Sequence, residues 1–439
     1  MRCTRFRIFA IMAGQQFPDL SKNIRPLKTP MKILLIAYYF PPLPGPGSLR
    51  PARMAEYMRS CGHDVFILTQ GDRSQKNEEA AIRRVPDIGR NCDRRGWHGI
   101  QWLALRLAVE ALNRAGIYAS IYSFWKRAVL RREEAIMASA RPQAIIATYP
   151  PVETLEIGLH LSQKYQLPLI ADFRDGLLFE PVERRALQQR SVRRSYEKLE
   201  ARVAREAAAI VTVSPAISRY FQKKYGCSRV ATIPNGYDAG ESVLPLVPSP
   251  FTPGRFHVVH TGGIALSDRG CDLAPFVLGV EKALAAAPAL QTRLLLHFAG
   301  RLSARERRLL RSLATAGMVR MYGQLPRETA IWMQQNADLL LLLASPDRTS
   351  VATGKLFEYM QAARPVLAMA SGTFAADIIA ETGIGWTIPL NDPQALSVTL
   401  TAIIKGELPP PRPNEQAIGR YDRKAQSDAY LSLLEQVCR

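Results

Sequence analysis

From residue 31 onward, short unbroken apolar runs alternate with longer stretches in which apolar positions recur at three- and four-residue spacing. Unbroken runs of strand length suit strands buried on both faces, as in parallel sheets, and each gap leaves room for the helix that a parallel connection needs. In the first half the strand-like runs are 32–40, 64–69, 143–148, 167–172, 209–213 and 229–233. The pattern restarts at 256–260 and continues through 294–299, 319–322, 338–343, 365–369 and 386–388. This alternation predicts an α/β fold class built from two Rossmann-like doubly wound parallel sheets.

Proline divides the chain. Pro245, Pro248, Pro250 and Pro253 fall within 243–254, and proline fixes φ and removes a backbone donor, so this stretch reads as a linker. The expected organisation is a first domain over 31–242, the linker 243–254, and a second domain over 255–413. A second cluster at 409–413 turns the chain into a last helical segment, 414–439, expected to pack back on the first domain. Residues 1–30 read as an N-terminal extension without fixed structure. Arg2, Arg5 and Arg7 precede a short apolar patch at 8–13, but no A-x-A cleavage site follows, and Met31 leads directly into the first strand.

The chain carries 58 Lys and Arg against 38 Asp and Glu, a formal charge of +20. Such an excess favours polyanionic partners, whether nucleotide diphosphates, nucleic acid or an anionic membrane. No recognised nucleic-acid module accompanies it, so no nucleic-acid partner is expected. Cys3, Cys61, Cys92, Cys227, Cys271 and Cys438 stand far apart with no C-x-x-C pair, which argues against a disulfide framework or a zinc ribbon and for a cytoplasmic setting. No apolar stretch is long enough to cross a bilayer, which leaves surface attachment as the membrane option.

Candidate chemistry gathers where strands end. After the first strand come Pro41-Pro42-Leu43-Pro44-Gly45-Pro46-Gly47-Ser48 and then a helical pattern, an arrangement in which Gly45 and Gly47 let backbone amides approach a phosphate. It is not the G-x-G-x-x-G dinucleotide fingerprint, and a plain proline-stiffened turn is the alternative. Asp172-Phe173-Arg174-Asp175 ends another buried strand. The acids there suit orientation or deprotonation of a sugar hydroxyl and the arginine suits an acceptor group, whereas an internal Asp–Arg ion pair is the structural alternative. In the second half, Gly262 and Gly263 with Arg269, Gly300 with Arg301, and Gly323 each follow a strand. Three such turns on one edge suggest a phosphorylated nucleoside. Gly354 and Lys355 fall in the first turn of a helix, where free amides and an ammonium meet a diphosphate. Glu358, one turn on, suits a ribose, unless Lys355 and Glu358 form only a surface pair.

These residues, in this order, resemble a known family. Tyr39-Phe40-Pro41-Pro42 with its glycines, Cys61-Gly62-His63-Asp64-Val65, Ile233-Pro234-Asn235-Gly236-Tyr237-Asp238 and Gly354-Lys355-Leu356-Phe357-Glu358-Tyr359 are similar to motifs of glycosyltransferase family 4 (group 1) enzymes, over roughly 31–437. The resemblance implies the GT-B fold, with two domains facing across a cleft, and transfer from a nucleotide sugar with retention of configuration, no cofactor and no metal. The sequence indeed has no D-x-D pair. By position, Arg269 and Lys355 would bind the donor diphosphate, Glu358 the ribose, and Asp172 would stand beside the anomeric carbon. The family's paired acid lies eight positions before the ribose-binding one, and here that position is Ser350. Asp347 or the backbone amides of 350–353 are the expected substitutes for it.

Residues 94–141 mix aromatic and aliphatic groups with cations, among them Trp97, Trp102, Leu103, Leu107, Trp125, Arg106 and Arg127. Such segments suit the headgroup region of an anionic bilayer, which points to a lipid-linked or glycan acceptor and to peripheral attachment on the inner face of the plasma membrane, whereas helices that cap the first sheet with solvated arginines are the structural alternative. A catalytically silent GT-B-like subunit, motivated by Ser350, and a nucleotide-sugar epimerase on the same fold are the competing classes.

Overall fold

The computed structural model describes residues 30–43, 46–71, 81–87, 97–181, 186–239, 249–264 and 270–438. Most of the expected N-terminal extension, Gly45, Arg269 and residues 240–248 of the linker region lie outside the described residues. Among the described residues, thirteen strands form two sheets. The first holds β1 (Lys32–Ile36), β2 (Asp64–Gly71), β3 (Ile82–Pro86), β4 (Ala144–Tyr149), β5 (Leu169–Phe173), β6 (Ala209–Thr212) and β7 (Val230–Thr232) in the order β3-β2-β1-β4-β5-β6-β7. The second holds β8 (Phe256–Thr261), β9 (Leu294–Ala299), β10 (Val319–Met321), β11 (Leu339–Leu343), β12 (Val366–Met369) and β13 (Gly385–Ile388) in the order β10-β9-β8-β11-β12-β13.

Every ladder between these strands is parallel. Helices cover both faces, so β4 and β11 are buried at every position, which is why their sequences run apolar without alternation. In each sheet the winding reverses at one point, between β1 and β4 and between β8 and β11, and the crevice beyond the strands' carboxyl ends there is where open α/β sheets bind ligands.

Two elements depart from the sequence expectation. The first strand stops at Ile36 instead of running to residue 40. Beyond it Tyr38 and Phe40 are buried outside the ladder, ahead of the Pro41–Pro42 turn, whose second residue has no N–H to donate. Conversely, β3 was not expected, because Arg83 and Arg84 interrupt its apolar pattern. It is an edge strand, and Arg84 reaches out to the Pro41 carbonyl at 2.9 Å.

The chain's last helix, Arg423–Cys438, lies against the first domain. Tyr430, Leu431 and Leu434 bury into the same cluster as Ile33, Leu35, Met54 and Met58. Each such side chain contributes roughly 2 kcal/mol by burial. Gly236 lets this return happen, since a Cβ there would meet the Tyr421 carbonyl oxygen at 2.3 Å.

Candidate active site

The second domain builds a notch at its switch point. β8 ends at Thr261, and the following Gly262 has φ +83°, a conformation costly for residues with a Cβ. Its N–H donates to the Ala299 carbonyl at 2.7 Å, and Gly300 packs so closely that a Cβ on it would fall 2.2 Å from the Gly262 oxygen. The glycines thus serve backbone approach between the ends of β8 and β9. Lys355 closes the notch: its Nζ donates to the Gly263 carbonyl at 2.7 Å, and its Cε would lie 2.8 Å from a Cβ on Gly262.

Lys355 stands in the first turn of the helix Gly354–Ala362. Thr353 takes the N-cap position but makes no side-chain cap, and its buried Oγ1 has no partner among the described residues. The helix start therefore adds its partial positive charge to the ammonium, the combination that holds anions. Beneath it His260 is fully buried. Burial, and then the Lys355 charge, push its pKa down to about 3, so the imidazole stays neutral. His260 escaped the sequence reading because a single histidine in a strand carries no spacing signal.

Glu358 is not paired with Lys355. Its carboxylate accepts from Gln334 at 3.1 Å and lies 3.4 Å from Arg327, while about a third of the side chain stays exposed. Gln334 also donates to the Thr261 hydroxyl at 2.8 Å, which ties Glu358 to the end of β8. Arg301 and Gly323 follow β9 and β10 and are both exposed. A Cβ on Gly323 would meet no described atom within 4 Å, so it is the backbone, with φ +68°, that favours glycine there.

The first domain supplies the facing wall, and several of its expected site residues are bound internally. Asp172 is buried at the end of β5 and accepts from Tyr430 at 2.6 Å and from Arg50 at 3.3 Å. This is the ion-pair arrangement that the sequence left as the alternative to a group beside the anomeric carbon. Arg174 is buried too, donating to the carbonyls of Gly47, Pro150 and, at 3.3 Å, Tyr149, so it fastens the loops after β1 and β4. Gly47 leaves room for it, since a Cβ there would sit 2.9 Å from its guanidinium. Asp175 pairs with Arg348 of the second domain.

That pair belongs to a seam the sequence did not reveal. Residues 348–351, which lead from β11 to the Gly354–Ala362 helix, dock on the loop after β5. Glu180 accepts from the Thr349 hydroxyl at 3.1 Å and the Ser350 N–H at 3.0 Å, and Val351 packs against the first domain's core. Asp347 instead lies beside Gly270, where a Cβ would meet its carboxylate at 2.7 Å.

The cationic segment divides into two parts. Trp125 is fully buried, edge-on to Tyr38 with ring centres 5.0 Å apart, so it belongs to the core. Leu103, Leu107 and Ile117 are more than half exposed, and Arg106 lies 4.7 Å over the Trp102 ring. The Trp97 side chain is outside the described residues. Among the described residues no helix is long and apolar enough to cross a membrane.

Residues 48–236 match the glycosyl transferase 4-like domain, and residues 276–425 match glycosyl transferases group 1. No curated protein matches the sequence. In fold the chain is similar to sucrose-phosphate synthase from Thermosynechococcus elongatus, at 16% identity and a TM-score of 0.63 over 92% of this chain and 98% of that one. It is similar as well to HepE from Anabaena, solved with UDP and glucose, at 15% identity and a TM-score of 0.54 over 92% and 100%. A third is WaaG, a glycosyltransferase involved in lipopolysaccharide biosynthesis, at 16% identity and a TM-score of 0.55 over 92% and 98%. With both halves matched in order across the two wound sheets, the chain belongs to the group 1, family 4-like glycosyltransferases of the GT-B fold.

Proposed function

We propose that this glycosyltransferase takes its sugar from a nucleotide-sugar donor and passes it, with retention of configuration and without a metal, to a glycan or lipid-linked acceptor in bacterial cell-surface polysaccharide synthesis. The observation that carries the reading is Lys355: an ammonium at a glycine-lined notch, at the uncapped start of a helix, on the switch point of a wound sheet. A nucleoside diphosphate fits there with its phosphates at Lys355 and its ribose near Glu358, and by the family resemblance Arg269, which lies outside the described residues, would add a second cation.

The chemistry follows from charge. As the bond between the anomeric carbon and the β-phosphate oxygen breaks, that oxygen gains negative charge, and Lys355 with the helix amides stabilises the departing diphosphate more than the bound donor. The acceptor oxygen bonds to the anomeric carbon from the face the phosphate leaves, and its proton passes to a phosphate oxygen. This sequence retains configuration and needs no protein nucleophile. Meeting of the two domains over the cleft excludes water and limits donor hydrolysis.

Lys355→Ala is expected to lower transfer by about a hundredfold or more, measured as turnover of labelled nucleotide sugars. Near-normal transfer in that variant would overturn the reading. The same assay separates the alternatives: a silent subunit turns over no donor, and an epimerase converts donor without acceptor. Peripheral membrane attachment is supported by Leu103 and Leu107 one turn apart on the helix Trp97–Arg114, beside Arg106. Flotation with anionic vesicles at low salt tests it, and absence of binding removes it.

A further inference from the structure

We infer that Glu180, a residue of the first domain, contacts the transferred sugar of the donor, so that the sugar subsite is completed across the domain seam. The inference rests on the donor orientation proposed above. Along the Gly354–Ala362 helix, Glu358 faces the nucleoside and the first turn faces the diphosphate. Residues 349–352, just before the helix, therefore border whatever lies beyond the diphosphate, which in a nucleotide sugar is the sugar.

The carboxylate bonded to those residues is Glu180, through the Thr349 hydroxyl at 3.1 Å and the Ser350 N–H at 3.0 Å. A carboxylate offers about four acceptor positions, and these two bonds leave capacity for sugar hydroxyls. The second domain's own chain offers Ser350 at the position where the resemblance leads one to expect an acid, and Asp347 is turned toward Gly270.

Glu180 is also held as a positioned group would be. Its φ of +45° is left-handed, an uncommon and costly conformation for a residue with a Cβ, which persists where the surroundings enforce it. Gly176 makes the turn beneath it so tight that a Cβ would lie 1.7 Å from the Phe179 oxygen. Leu177 is buried, the Leu178 N–H donates to the buried Glu200 at 3.2 Å, and the Phe179 ring packs on Tyr220 at 5.2 Å. From the other side, Arg348 on Asp175 and Val351 in the first domain's core hold the partner loop in register.

The test is titration calorimetry with UDP, ADP, GDP and dTDP, each alone and as its glucose ester. Glu180→Gln is expected to weaken the ester that wild type binds by about tenfold, the loss typical of a hydrogen bond to a charged group, and to leave the bare diphosphate within twofold. Thr349→Val, which removes a brace and keeps the carboxylate, is expected to leave the ratio of ester to diphosphate affinity within twofold of wild type. If Glu180→Gln changes ester and diphosphate equally, or neither, or if Thr349→Val reproduces its loss, the inference is overturned. Should Glu180→Gln fail to fold, Glu180→Asp carries the same comparison. Wild-type protein that binds none of the probes overturns the donor reading itself. Binding that Lys355→Ala weakens for both ligand forms, with Glu180 variants silent, overturns Glu180 alone.

Discussion

At the residue scale, two buried titratable groups pull stability in opposite directions. Glu153, fully buried at the start of the helix Val152–Tyr165, has its pKa pushed up to about 8, chiefly by burial, with the neighbouring Ser120 opposing and Glu156 adding to the rise. Between its ordinary value of 4.5 and about 8, the native state holds a proton that the unfolded state has lost, so stability falls as pH rises through that window. His260 has the reverse sign. Ordinarily near 6.5, it is held down to about 3, so the unfolded chain binds the extra proton and stability falls as pH drops through that window. The two slopes oppose each other where the windows overlap. Glu153→Gln imitates the protonated acid and should match wild type near pH 5. By about pH 8.5 it should be more stable than wild type, by on the order of 3 kcal/mol. Urea denaturation at the two pH values checks this, and a gap that does not widen with pH refutes it.

At the element scale, the closing helix Arg423–Cys438 acts as a strut between distant parts of the first domain. Its Tyr430 hydroxyl donates to Asp172 at 2.6 Å and accepts from Arg50 at 3.0 Å, while Arg50 also donates to the carbonyls of Ile233 and Pro234. Tyr430→Phe removes the bonds without changing the packing. It should cost about 1–3 kcal/mol, because Asp172 stays buried with one partner fewer. Chemical denaturation reads the cost, and unchanged nucleotide affinity would separate this strut from the Lys355 notch. The same helix shows what the sequence could reveal. Strands such as β4 and β11 were legible because burial on both faces leaves an unbroken apolar signature, and a terminal helix beyond a proline cluster was legible as a helix. That Asp172 would be met by Tyr430 was not legible, because the contact depends on how the chain returns and leaves no local pattern. The sequence left Asp172 open between a cleft-facing acid and an internal ion pair for the same reason, whereas the Lys355 notch is assembled from a strand, its turn and one helix start, which are local in order.

At the scale of the whole molecule, the approach to the proposed donor site and the domain contact share one loop. Residues 348–351 link β11 to the Gly354–Ala362 helix and also form the seam with the loop after β5, so any motion that separates the domains displaces the approach to Lys355. Nothing in the sequence signals that these two loops touch, since each belongs to a different sheet. The Arg348–Asp175 pair is suited to stabilise the closed arrangement: its side chains are only 17% and 23% exposed, which limits the screening that makes surface pairs weak. Asp175→Asn and Arg348→Gln should each loosen the seam, raise the KM for donor severalfold, and increase the radius of gyration in small-angle scattering. Because both remove the same interaction, the double variant should lose little more than either single one, with a coupling of about 1 kcal/mol. Additive losses would mean that the two residues act separately. A KM change without any change in scattering would assign the pair to local loop order, leaving domain closure to other contacts.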